Sequence, residues 1–331
     1  MKKNFFKNKT LLITGGTGSF GKALVNYLLI NKFPLKKIII FSRDEFKQFE
    51  MQKSFGDKYE NLRFLLGDIR DKDRLNFALK DNDIVIHAAA LKQVSTAEYN
   101  PIEFIKTNVL GSQNLIEASI NNSTKIVVAL STDKASSPIN LYGATKLCSD
   151  KLFVSSNNIK GNKNLRFSVV RYGNVMGSRG SVLHNFIDQK KKGKLLITDK
   201  EMTRFHIMLE DAISMVIHAI MNAKGGEIFV PKLPSFYVTD LARAVCSDCK
   251  IITTGIRPGE KLHEEMISIY ENQNTLDFQK YYLIVPNNFI NYFKKKNYKL
   301  VDKNFFYNSK INKDFLSVAD LKKIIQTFYK N

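Results

Sequence analysis

Short apolar runs alternate with longer helix-patterned segments through the first half of the chain, and this rhythm restricts the fold most. The pattern predicts strands at Thr10–Thr14, Lys37–Ser42, Arg63–Leu66, Asp83–Ala88, Lys125–Ser131 and Arg166–Arg171. It predicts helices between them at Phe20–Asn31, Asp44–Phe55, Lys72–Lys80, Pro101–Asn121 and Tyr142–Asn157. Repeated units of this kind form a parallel sheet with helices on both faces. The predicted class is α/β, with a doubly wound parallel sheet.

The rhythm changes after about Asn174, where loops containing glycine and proline separate shorter elements. A chain of 331 residues is long enough for two structural units. We expect residues 1–174 to form the sheet domain and residues 175–331 to form a smaller α+β domain, with some of its strands able to return to the main sheet. Ser317 and Asp320 resemble a capping box and predict a last helix, Val318–Tyr329.

A glycine-rich turn lies between the first predicted strand and the first predicted helix. Its sequence, Thr14-Gly-Gly-Thr-Gly-Ser-Phe-Gly21, places glycines at positions 15, 16, 18 and 21. In such turns one glycine makes the tight bend, one lets backbone N–H groups reach a pyrophosphate, and one allows close packing of helix and strand. The phosphates then lie at the positive end of the helix. The turn predicts dinucleotide binding on a Rossmann sheet.

Charged residues after the second strand bear on which dinucleotide binds. Ser42-Arg43-Asp44 follows this strand, with Lys47 one turn further on. An acid here usually binds the ribose 2′-hydroxyl of NAD, whereas Arg43 and Lys47 offer positive charge for the 2′-phosphate of NADP. We expect NADP, although Asp44 could serve NAD. Asp68, at the end of the third strand, could accept a hydrogen bond from the adenine amino group.

Tyr142 and Lys146 form the most informative catalytic pattern. A spacing of four places the phenol and the ammonium on one helix face, about one turn apart. A nearby cation stabilises the phenolate and lowers the pKa of the tyrosine, which could then take a proton from a sugar hydroxyl. Any tyrosine and lysine at this spacing would be a weak signal, but these two follow a Rossmann turn and a fifth strand.

An acid and a base, Asp133 and Lys134, follow the fifth predicted strand directly. Open α/β sheets bind their ligands at the carboxyl ends of the strands. The pair could therefore do proton chemistry beyond simple oxidation, or it could be a solvated loop pair. The five histidines have no metal-ligand spacing, so we expect no metal, and His87 lies inside an apolar strand as a core residue.

The net charge of +20 raises the question of nucleic-acid binding. Only 10 of the 51 basic residues are arginine, and the lysines are scattered. Surfaces that recognise phosphate or guanine by bidentate contacts usually contain more arginine. We therefore expect no nucleic-acid partner, while the charge suits small anionic ligands.

Neither a membrane-spanning run nor a signal peptide stands out in the sequence, so we expect a cytoplasmic protein without a membrane partner. The three cysteines cannot pair completely and suit a reducing compartment. Cys246 and Cys249 form a C-x-x-C pattern without a second pair, which makes zinc improbable and favours two small residues of a core helix.

These motifs together resemble the extended short-chain dehydrogenase/reductases, and most closely the soluble inverting UDP-N-acetylglucosamine 4,6-dehydratases of pseudaminic acid synthesis. The resemblance covers about residues 10–267. The stretches that carry it are ITGGTGSFGKAL, FSRDEFKQFEM, HAAALKQVSTAEYNPIEFIKTNVLG, ALSTDKASSPINLYGATKLCSDKLF, RFSVVRYGNVMGSRGSV, ITDKEMTRF, GGEIFVPKLPS and GIRPGEKLHEEMIS.

The resemblance implies a three-step cycle in which NADP is recycled. Tyr142, helped by Lys146, would deprotonate the C4 hydroxyl while hydride passes to the cofactor. Lys134 would take the C5 proton, and Asp133 would protonate the departing C6 hydroxyl. Hydride would then return to C6, and protonation of C5 from the opposite face would invert that centre. The product would be UDP-2-acetamido-2,6-dideoxy-β-L-arabino-hex-4-ulose.

The resemblance implies that residues 175–331 bind the substrate and that the protein is a homo-oligomer. The family's binding residues also map onto this chain. Implied cofactor contacts are Gly15, Thr17, Gly18, Ser19, Phe20, Gly21, Ser42, Arg43, Asp44, Glu45, Phe46, Lys47, Asp68, Ile69, Ala88, Lys92, Tyr142 and Lys146. Implied contacts to UDP-N-acetylglucosamine are Lys92, Asn174, Val182, Thr198, Arg204, Arg257 and Glu260. Arg204 and Arg257 are the natural diphosphate partners because guanidinium groups suit phosphate.

Two other functions are open. A UDP-sugar 4- or 5-epimerase would use the same fold, but the family's 4-epimerases lack the acid–base pair at the positions of Asp133 and Lys134. A redox-silent NADP-binding regulator would typically have lost the Tyr142–Lys146 pair. Close relatives usually carry His, Pro, Pro and Trp at the positions of Gln93, Ser95, His184 and His206. Gln93 and Ser95 border the presumed sugar site, so substrate choice or rate could differ.

Overall fold

A computed structural model describes residues 3–55, 59–177, 180–296 and 298–329 of the chain. The strands are β1 (Thr10–Thr14), β2 (Lys37–Ser42), β3 (Leu62–Leu66), β4 (Ile84–His87), β5 (Ile126–Thr132), β6 (Arg166–Tyr172), β7 (Asn174–Val175), β8 (Lys194–Ile197), β9 (Thr203–Ile207), β10 (Ile228–Pro231), β11 (Ser235–Tyr237), β12 (Lys250–Thr253), β13 (Glu265–Ile267), β14 (Thr275–Asp277), β15 (Tyr281–Ile284) and β16 (Tyr307–Asn308).

Helices cover both faces of the sheet and the smaller unit. They are α1 (Ser19–Ile30), α2 (Glu45–Phe55), α3 (Lys72–Ala78), α4 (Val94–Tyr99), α5 (Pro101–Phe104), α6 (Gly111–Asn121), α7 (Leu141–Ile159), α8 (Val182–Lys190), α9 (Leu209–Asn222), α10 (Val238–Val245), α11 (Asn287–Lys295) and α12 (Val318–Tyr329). Short 3₁₀ turns lie at Lys3–Phe6, Asp133–Ala135 and Asn272–Asn274. In the described part of the chain, no helix is both long and apolar enough to cross a membrane.

Within the described ranges, nine strands form the main sheet in the order β14-β15-β10-β6-β5-β4-β1-β2-β3. The seven strands from β3 to β10 in this order are parallel, and β15 and β14 extend the edge in antiparallel fashion. The chain reverses its direction of winding between β1 and β4, which opens the crevice where such sheets bind ligands. This topology confirms the predicted α/β class, and β10, β14 and β15 are strands that return from the second half.

Side chains of the central strands alternate between two hydrophobic clusters, one on each face. Leu11 and Ile13 of β1 lie in the first cluster, whereas Leu12 lies in the second, and Ile38 and Ile39 of β2 alternate in the same way. Because both faces are buried, these strands need apolar residues at every position. The sequence therefore marks them clearly, and β1 and β2 have the predicted bounds.

A smaller unit packs around a third cluster, which includes Leu183, Phe186, Leu241 and Leu321 of α8, α10 and α12. Its strands form three small sheets, β11-β9-β7, β12-β8 and β13-β16. The capping box of α12 is confirmed, because the Ser317 hydroxyl donates to Asp320 Oδ2 at 2.6 Å and accepts from the Asp320 N–H.

One predicted helix is not regular. The segment Pro101–Asn121 contains a π-helical stretch, Ile105–Leu110, between α5 and α6. Within this stretch Asn108 is buried, accepts from the Leu91 N–H and donates to the Leu91 carbonyl oxygen, both at 2.9 Å. The wider turn brings this amide to the chain just after β4, and such turns often occur at functional sites.

The expectation for Cys246 and Cys249 is wrong. The two residues are joined by a disulfide, and neither is helical because α10 ends at Val245 and Cys246 has an extended backbone with φ −153°. Both are half-buried against the third cluster. Cys148 is free and exposed.

Candidate active site

A cavity of about 910 Å³ runs along the carboxyl ends of the parallel strands and opens between the two units. The ends of β1, β2, β4 and β5 contribute to one wall, and residues around Thr198, Arg204 and Arg257 contribute to the other. This is the place where an open α/β sheet binds its ligands.

The glycine-rich turn forms one end of this cavity with the geometry that a dinucleotide needs. Gly15 has φ +65°, and a Cβ atom there would lie 2.8 Å from the Ala89 Cα. A Cβ on Gly21 would collide with the backbone of Gly16. Gly18 is the N-cap of α1 and has no side chain that could occupy the helix N-terminus. Gly15 thus makes the tight bend and Gly21 allows the close packing, two roles that the sequence pattern had assigned to no particular glycine.

Most predicted cofactor residues line the cavity, but two do not. Those in the wall are Gly15, Thr17, Gly18, Ser19, Phe20, Gly21, Ser42, Arg43, Asp44, Lys47, Asp68, Ile69, Ala88, Lys92, Tyr142 and Lys146. Glu45 and Phe46 lie on the first turn of α2 and face outward, and Phe46 is 67% exposed. Their side chains therefore do not contribute to the cavity wall in this structure.

The end of β2 carries the charges that were expected to select the dinucleotide. Lys47 Nζ lies 2.5 Å from Asp44 Oδ2, so these two side chains form an ion pair with each other. Arg43 is 54% exposed and lies 3.9 Å from Asp68 Oδ2. Arg70 donates two hydrogen bonds to the same Asp68 oxygen, at 2.7 and 2.9 Å. Arg43 is thus the more available of the two predicted cations.

Helix α7 brings Tyr142 and Lys146 to the same cavity. The helix begins after Asn140, whose side chain accepts from the Gly143 N–H at 2.8 Å. Tyr142 and Lys146 are both buried, at 8% and 4% exposure. Lys146 Nζ donates to the Leu130 carbonyl oxygen at 2.8 Å, which fixes the ammonium beside β5. The predicted arrangement of these two residues on one helix is confirmed.

The expected lowering of the Tyr142 pKa is wrong. Burial raises the pKa of Tyr142 to about 12, and this outweighs the stabilisation of the phenolate by nearby charge. Lys134 is the cation that lowers it most, and a hydrogen bond with the Thr132 side chain lowers it further. The sequence pattern had assigned this electrostatic role to Lys146.

Asp133 and Lys134 form a short 3₁₀ turn immediately after β5, and they lie in the cavity wall. Asp133 is 1% exposed, and its Oδ1 accepts from Thr132 and Lys134 at 2.9 and 3.2 Å, whereas its Oδ2 has no hydrogen-bond partner in the described part of the chain. Burial raises the pKa of Asp133 and so favours its protonated form. The solvated loop pair that the sequence left open is therefore not what the structure contains.

Lys134 has a second carboxylate partner that the sequence did not reveal. Its Nζ donates to Glu264 Oε1 at 2.8 Å, and Glu264 is 1% exposed. Although burial opposes it, the attraction of Asp133 and Glu264 raises the pKa of Lys134 above its usual value. The lysine is therefore an ammonium group in the resting protein.

The loop before β13 closes over the Asp133–Lys134 turn through several contacts. Lys261 Nζ donates to the Ser136 carbonyl oxygen at 2.6 Å, and Asn140 Nδ2 donates to the Gly259 carbonyl oxygen at 2.7 Å. Ser136 and Ser137 both donate to Glu265 Oε1, at 3.2 and 2.6 Å. The proton-transfer groups are thus assembled from both units of the chain.

All predicted sugar-nucleotide residues lie in the cavity wall, namely Lys92, Asn174, Val182, Thr198, Arg204, Arg257 and Glu260. The two arginines differ in their surroundings. Arg257 is exposed, whereas Arg204 is 8% exposed and donates to the carbonyl oxygens of Thr203 and Leu262 at 2.8 and 3.1 Å. Arg257 is therefore the more accessible of the two guanidinium groups to a ligand in the cavity.

Gln93 and Ser95 also line the cavity, as expected from their sequence positions. His184 is exposed on α8, and His206 is buried in β9 at 5% exposure. Burial lowers the pKa of His206 to about 4, so this ring is neutral. His87 is fully buried and its Nδ1 lies 2.8 Å from Thr14 Oγ1, which confirms the predicted core role.

Comparison with known proteins identifies the family of this chain. The model of a family described as polysaccharide biosynthesis protein matches residues 11–286. A UDP-N-acetylglucosamine 4,6-dehydratase (inverting) from Campylobacter jejuni is 52% identical, over 97% of this chain and 98% of its own. The chain belongs to this polysaccharide biosynthesis family. The resemblance to the extended short-chain dehydrogenase/reductases, in the group of inverting UDP-N-acetylglucosamine 4,6-dehydratases, is thereby confirmed.

Other relatives are similar to this chain over nearly its whole length. The X-ray structure of Pen from Bacillus thuringiensis is 39% identical and superposes with a TM-score of 0.89, covering 98% of both chains. A protein named UDP-glucose 4-epimerase from Rickettsia akari is 40% identical, over 97% of this chain and 96% of its own. The relatives of this chain are therefore named for more than one reaction.

Proposed function

We propose that this chain catalyses the inverting 4,6-dehydration of UDP-N-acetylglucosamine, with a nicotinamide dinucleotide as recycled cofactor. The observation that carries the proposal is the convergence of Asp133, Lys134, Tyr142 and Lys146 on one cavity beside the glycine-rich turn. The name of the Campylobacter jejuni relative supports the same reaction. The product would lead toward pseudaminic acid-type glycans, as the family resemblance implies.

The first step needs a base for the C4 hydroxyl, and Tyr142 is that base. A bound nicotinamide ring would accept hydride from C4 in this step and return hydride to C6 in the last step. The phenolate is stabilised by Lys134 and by its hydrogen bond with the Thr132 side chain, while burial opposes it. Lys146, held by the Leu130 carbonyl oxygen, contributes a buried ammonium on the same helix face.

The elimination step needs an acid and a base. Asp133 is the acid, because burial raises the pKa of its carboxyl and so favours the protonated form, and its Oδ2 has no hydrogen-bond partner among the described residues. In that form it delivers a proton to the C6 hydroxyl, which leaves as water. Lys134 removes the C5 proton, which the new C4 ketone has made acidic. With hydride restored to C6 by the bound cofactor, C5 would take a solvent-derived proton on the face opposite Lys134, and that centre would be inverted.

NADP is the dinucleotide that we propose for this site. The glycine cradle and the N-terminus of α1 fit a pyrophosphate, whichever dinucleotide binds. Arg43 is exposed at the end of β2 and can turn toward a 2′-phosphate, whereas Asp44 is occupied by Lys47. An acid already paired with lysine is a poorer partner for the ribose 2′-hydroxyl of NAD.

A UDP-sugar 4-epimerase is the second candidate, and the 40% identical Rickettsia akari relative favours it. Such an enzyme needs the tyrosine and the lysine of α7 but has no use for a buried acid beside a second lysine.

The family resemblance also implies a homo-oligomer, which we propose for this chain without assigning the number of subunits.

Mass spectrometry of the nucleotide sugar separates the two candidates. Purified enzyme is incubated with UDP-N-acetylglucosamine and NADP. The dehydratase proposal predicts that the substrate loses the mass of one water molecule. An unchanged mass, with the sugar converted to its C4 epimer, would establish the epimerase instead.

A further inference from the structure

Glu264 is a buried carboxylate in the active-site cavity that the steps above do not use. Its side chain lies between two cations, with Oε1 at 2.8 Å from Lys134 Nζ and 3.6 Å from Arg204 Nε. The residue is 1% exposed, and its Oε2 has no hydrogen-bond partner among the described residues. Burying a carboxylate costs free energy when one of its oxygens accepts no hydrogen bond, so such a group calls for a functional explanation.

The C-terminal part of the chain fixes the backbone of Glu264. The Glu264 N–H donates to Ser309 Oγ at 2.9 Å, and the Ser309 N–H donates to the Glu264 carbonyl oxygen at 2.8 Å. Ser309 is fully buried and also contacts Thr203 Oγ1 at 2.7 Å. The neighbouring strands β13 and β16 continue this pairing. The lysine- and asparagine-rich segment after Tyr281 therefore holds the strand that presents Glu264 to Lys134.

The proposed elimination requires Lys134 to lose a proton before it can accept one from C5. In the resting protein this lysine is an ammonium group with two carboxylates within hydrogen-bond distance. Asp133 is the better acceptor of this proton, because burial raises its pKa and protonation makes it the acid that the leaving hydroxyl needs. Arg204 faces Glu264 from the other side and favours its ionised form. Glu264 therefore stays anionic and holds Lys134 Nζ by charge and a hydrogen bond of 2.8 Å.

We propose that Glu264 positions Lys134 Nζ beside Asp133 and the substrate, so that the neutral amine, formed when Lys134 gives a proton to Asp133, can remove the C5 proton of the substrate. In this step an N–H bond of Lys134 breaks and an O–H bond forms on Asp133. The C5–H bond then breaks and a new N–H bond forms on Lys134, while the electron pair stays on the sugar as an enolate. This inference rests on the proposed dehydration.

The test compares Glu264→Gln with Glu50→Gln, the same substitution at an exposed glutamate of α2 outside the cavity wall. Two rates are measured in D₂O, namely deuterium incorporation at C5 and the nicotinamide absorbance change that reports C4 oxidation. We expect Glu264→Gln to slow C5 exchange by about 100-fold while C4 oxidation continues, since a reacting group displaced by about 1 Å can lose about 100-fold in rate. Glu50→Gln should leave both rates unchanged.

The conservative variant Glu264→Asp keeps the carboxylate with a shorter reach and should recover part of the exchange rate. Wild-type exchange in Glu264→Gln would overturn the proposal. If Glu264→Gln does not fold, Glu264→Asp carries the test, and equal slowing of both rates in that variant would also overturn it. Wild-type enzyme that oxidises C4 without eliminating water would instead contradict the proposed function itself, so the two failures are distinguishable.

Discussion

The Nζ atom of Lys134 lies 2.8 Å from Oε1 of Glu264, although the two residues are 130 positions apart in the chain. Lys134 follows the central strand β5, and Glu264 precedes β13 of the smaller unit. The proton-transfer centre is therefore completed by docking of one unit on the other.

Replacement of Lys134 by alanine should separate oxidation from elimination. The Lys134→Ala variant should still bind NADP and UDP-N-acetylglucosamine and oxidise C4, because Tyr142 and Lys146 remain. It should lose C5 hydrogen exchange with deuterated solvent by about 10²–10⁴-fold, the usual effect of deleting a general base. Proton NMR of the recovered nucleotide sugar measures the exchange, and normal exchange would remove Lys134 as the base.

The same variant should shift the pH dependence of C4 oxidation. Burial raises the pKa of Tyr142 to about 12 and Lys134 counteracts this, so loss of Lys134 should raise that pKa further. Because the phenolate is the reactive form, the single-turnover rate of oxidation should increase with pH, and the curve for Lys134→Ala should lie at higher pH. An unchanged pH dependence of C4 oxidation in Lys134→Ala would mean that Lys134 does not affect the pKa of Tyr142.

Tyr142 itself should be needed only for removal of the proton from the C4 hydroxyl. Tyr142→Phe keeps the ring in its buried position and removes the hydroxyl, so the protein should fold and bind cofactor. Its C4 oxidation should fall by about 10²–10⁴-fold. Nicotinamide absorbance in a single turnover measures the loss, with Tyr99→Phe, an 87% exposed tyrosine, as control.

Dinucleotide preference should depend on Arg43. Arg43→Ala should weaken NADP binding about tenfold or more and leave NAD binding nearly unchanged, because a charge-assisted hydrogen bond contributes roughly 1.5–3 kcal/mol. Calorimetric titration of cofactor-stripped protein gives both dissociation constants. Equal weakening of both dinucleotides would show that Arg43 does not read the 2′ position, and tighter binding of NAD by the wild type would contradict the NADP proposal.

Close packing of α7 on the Lys134 turn should make Gly143 intolerant of substitution. A Cβ at Gly143 would collide with the Lys134 carbonyl oxygen and contact the Pro138 ring. Gly143→Ala should therefore lower the free energy of unfolding by about 1–3 kcal/mol, as overpacking does. Urea denaturation measures this, with Ser155→Ala on the exposed side of the same helix as control. Undiminished stability of Gly143→Ala would contradict the packing described here.

Local sequence predicts the parts of this molecule that local interactions determine. Strands β1 and β2 are buried on both faces and read as continuous apolar runs, so their bounds follow from the sequence. Gly15 and Gly21 are required by a positive φ and by a close backbone approach, both within the turn itself. Tyr142 and Lys146 share a face because helical spacing places them there.

Long-range contacts account for what the sequence did not predict. Glu264 is one of many acidic residues until the fold brings it to Lys134, and the nearby Ser309 has no sequence signal at all. The pKa of Tyr142 depends on its burial, which outweighs the stabilisation of the phenolate by Lys134 and Thr132. The hydrogen bonds that join Asn108 of the π-helical stretch to Leu91 also link residues 17 positions apart.

The most direct test of the reaction is an NMR spectrum of the product formed from UDP-N-acetylglucosamine in D₂O. The account predicts a 4-keto-6-deoxy sugar that has lost one water, carries deuterium at C5 and has the L-arabino configuration. A product that keeps the C6 hydroxyl, or one that retains the original hydrogen and configuration at C5, would contradict it.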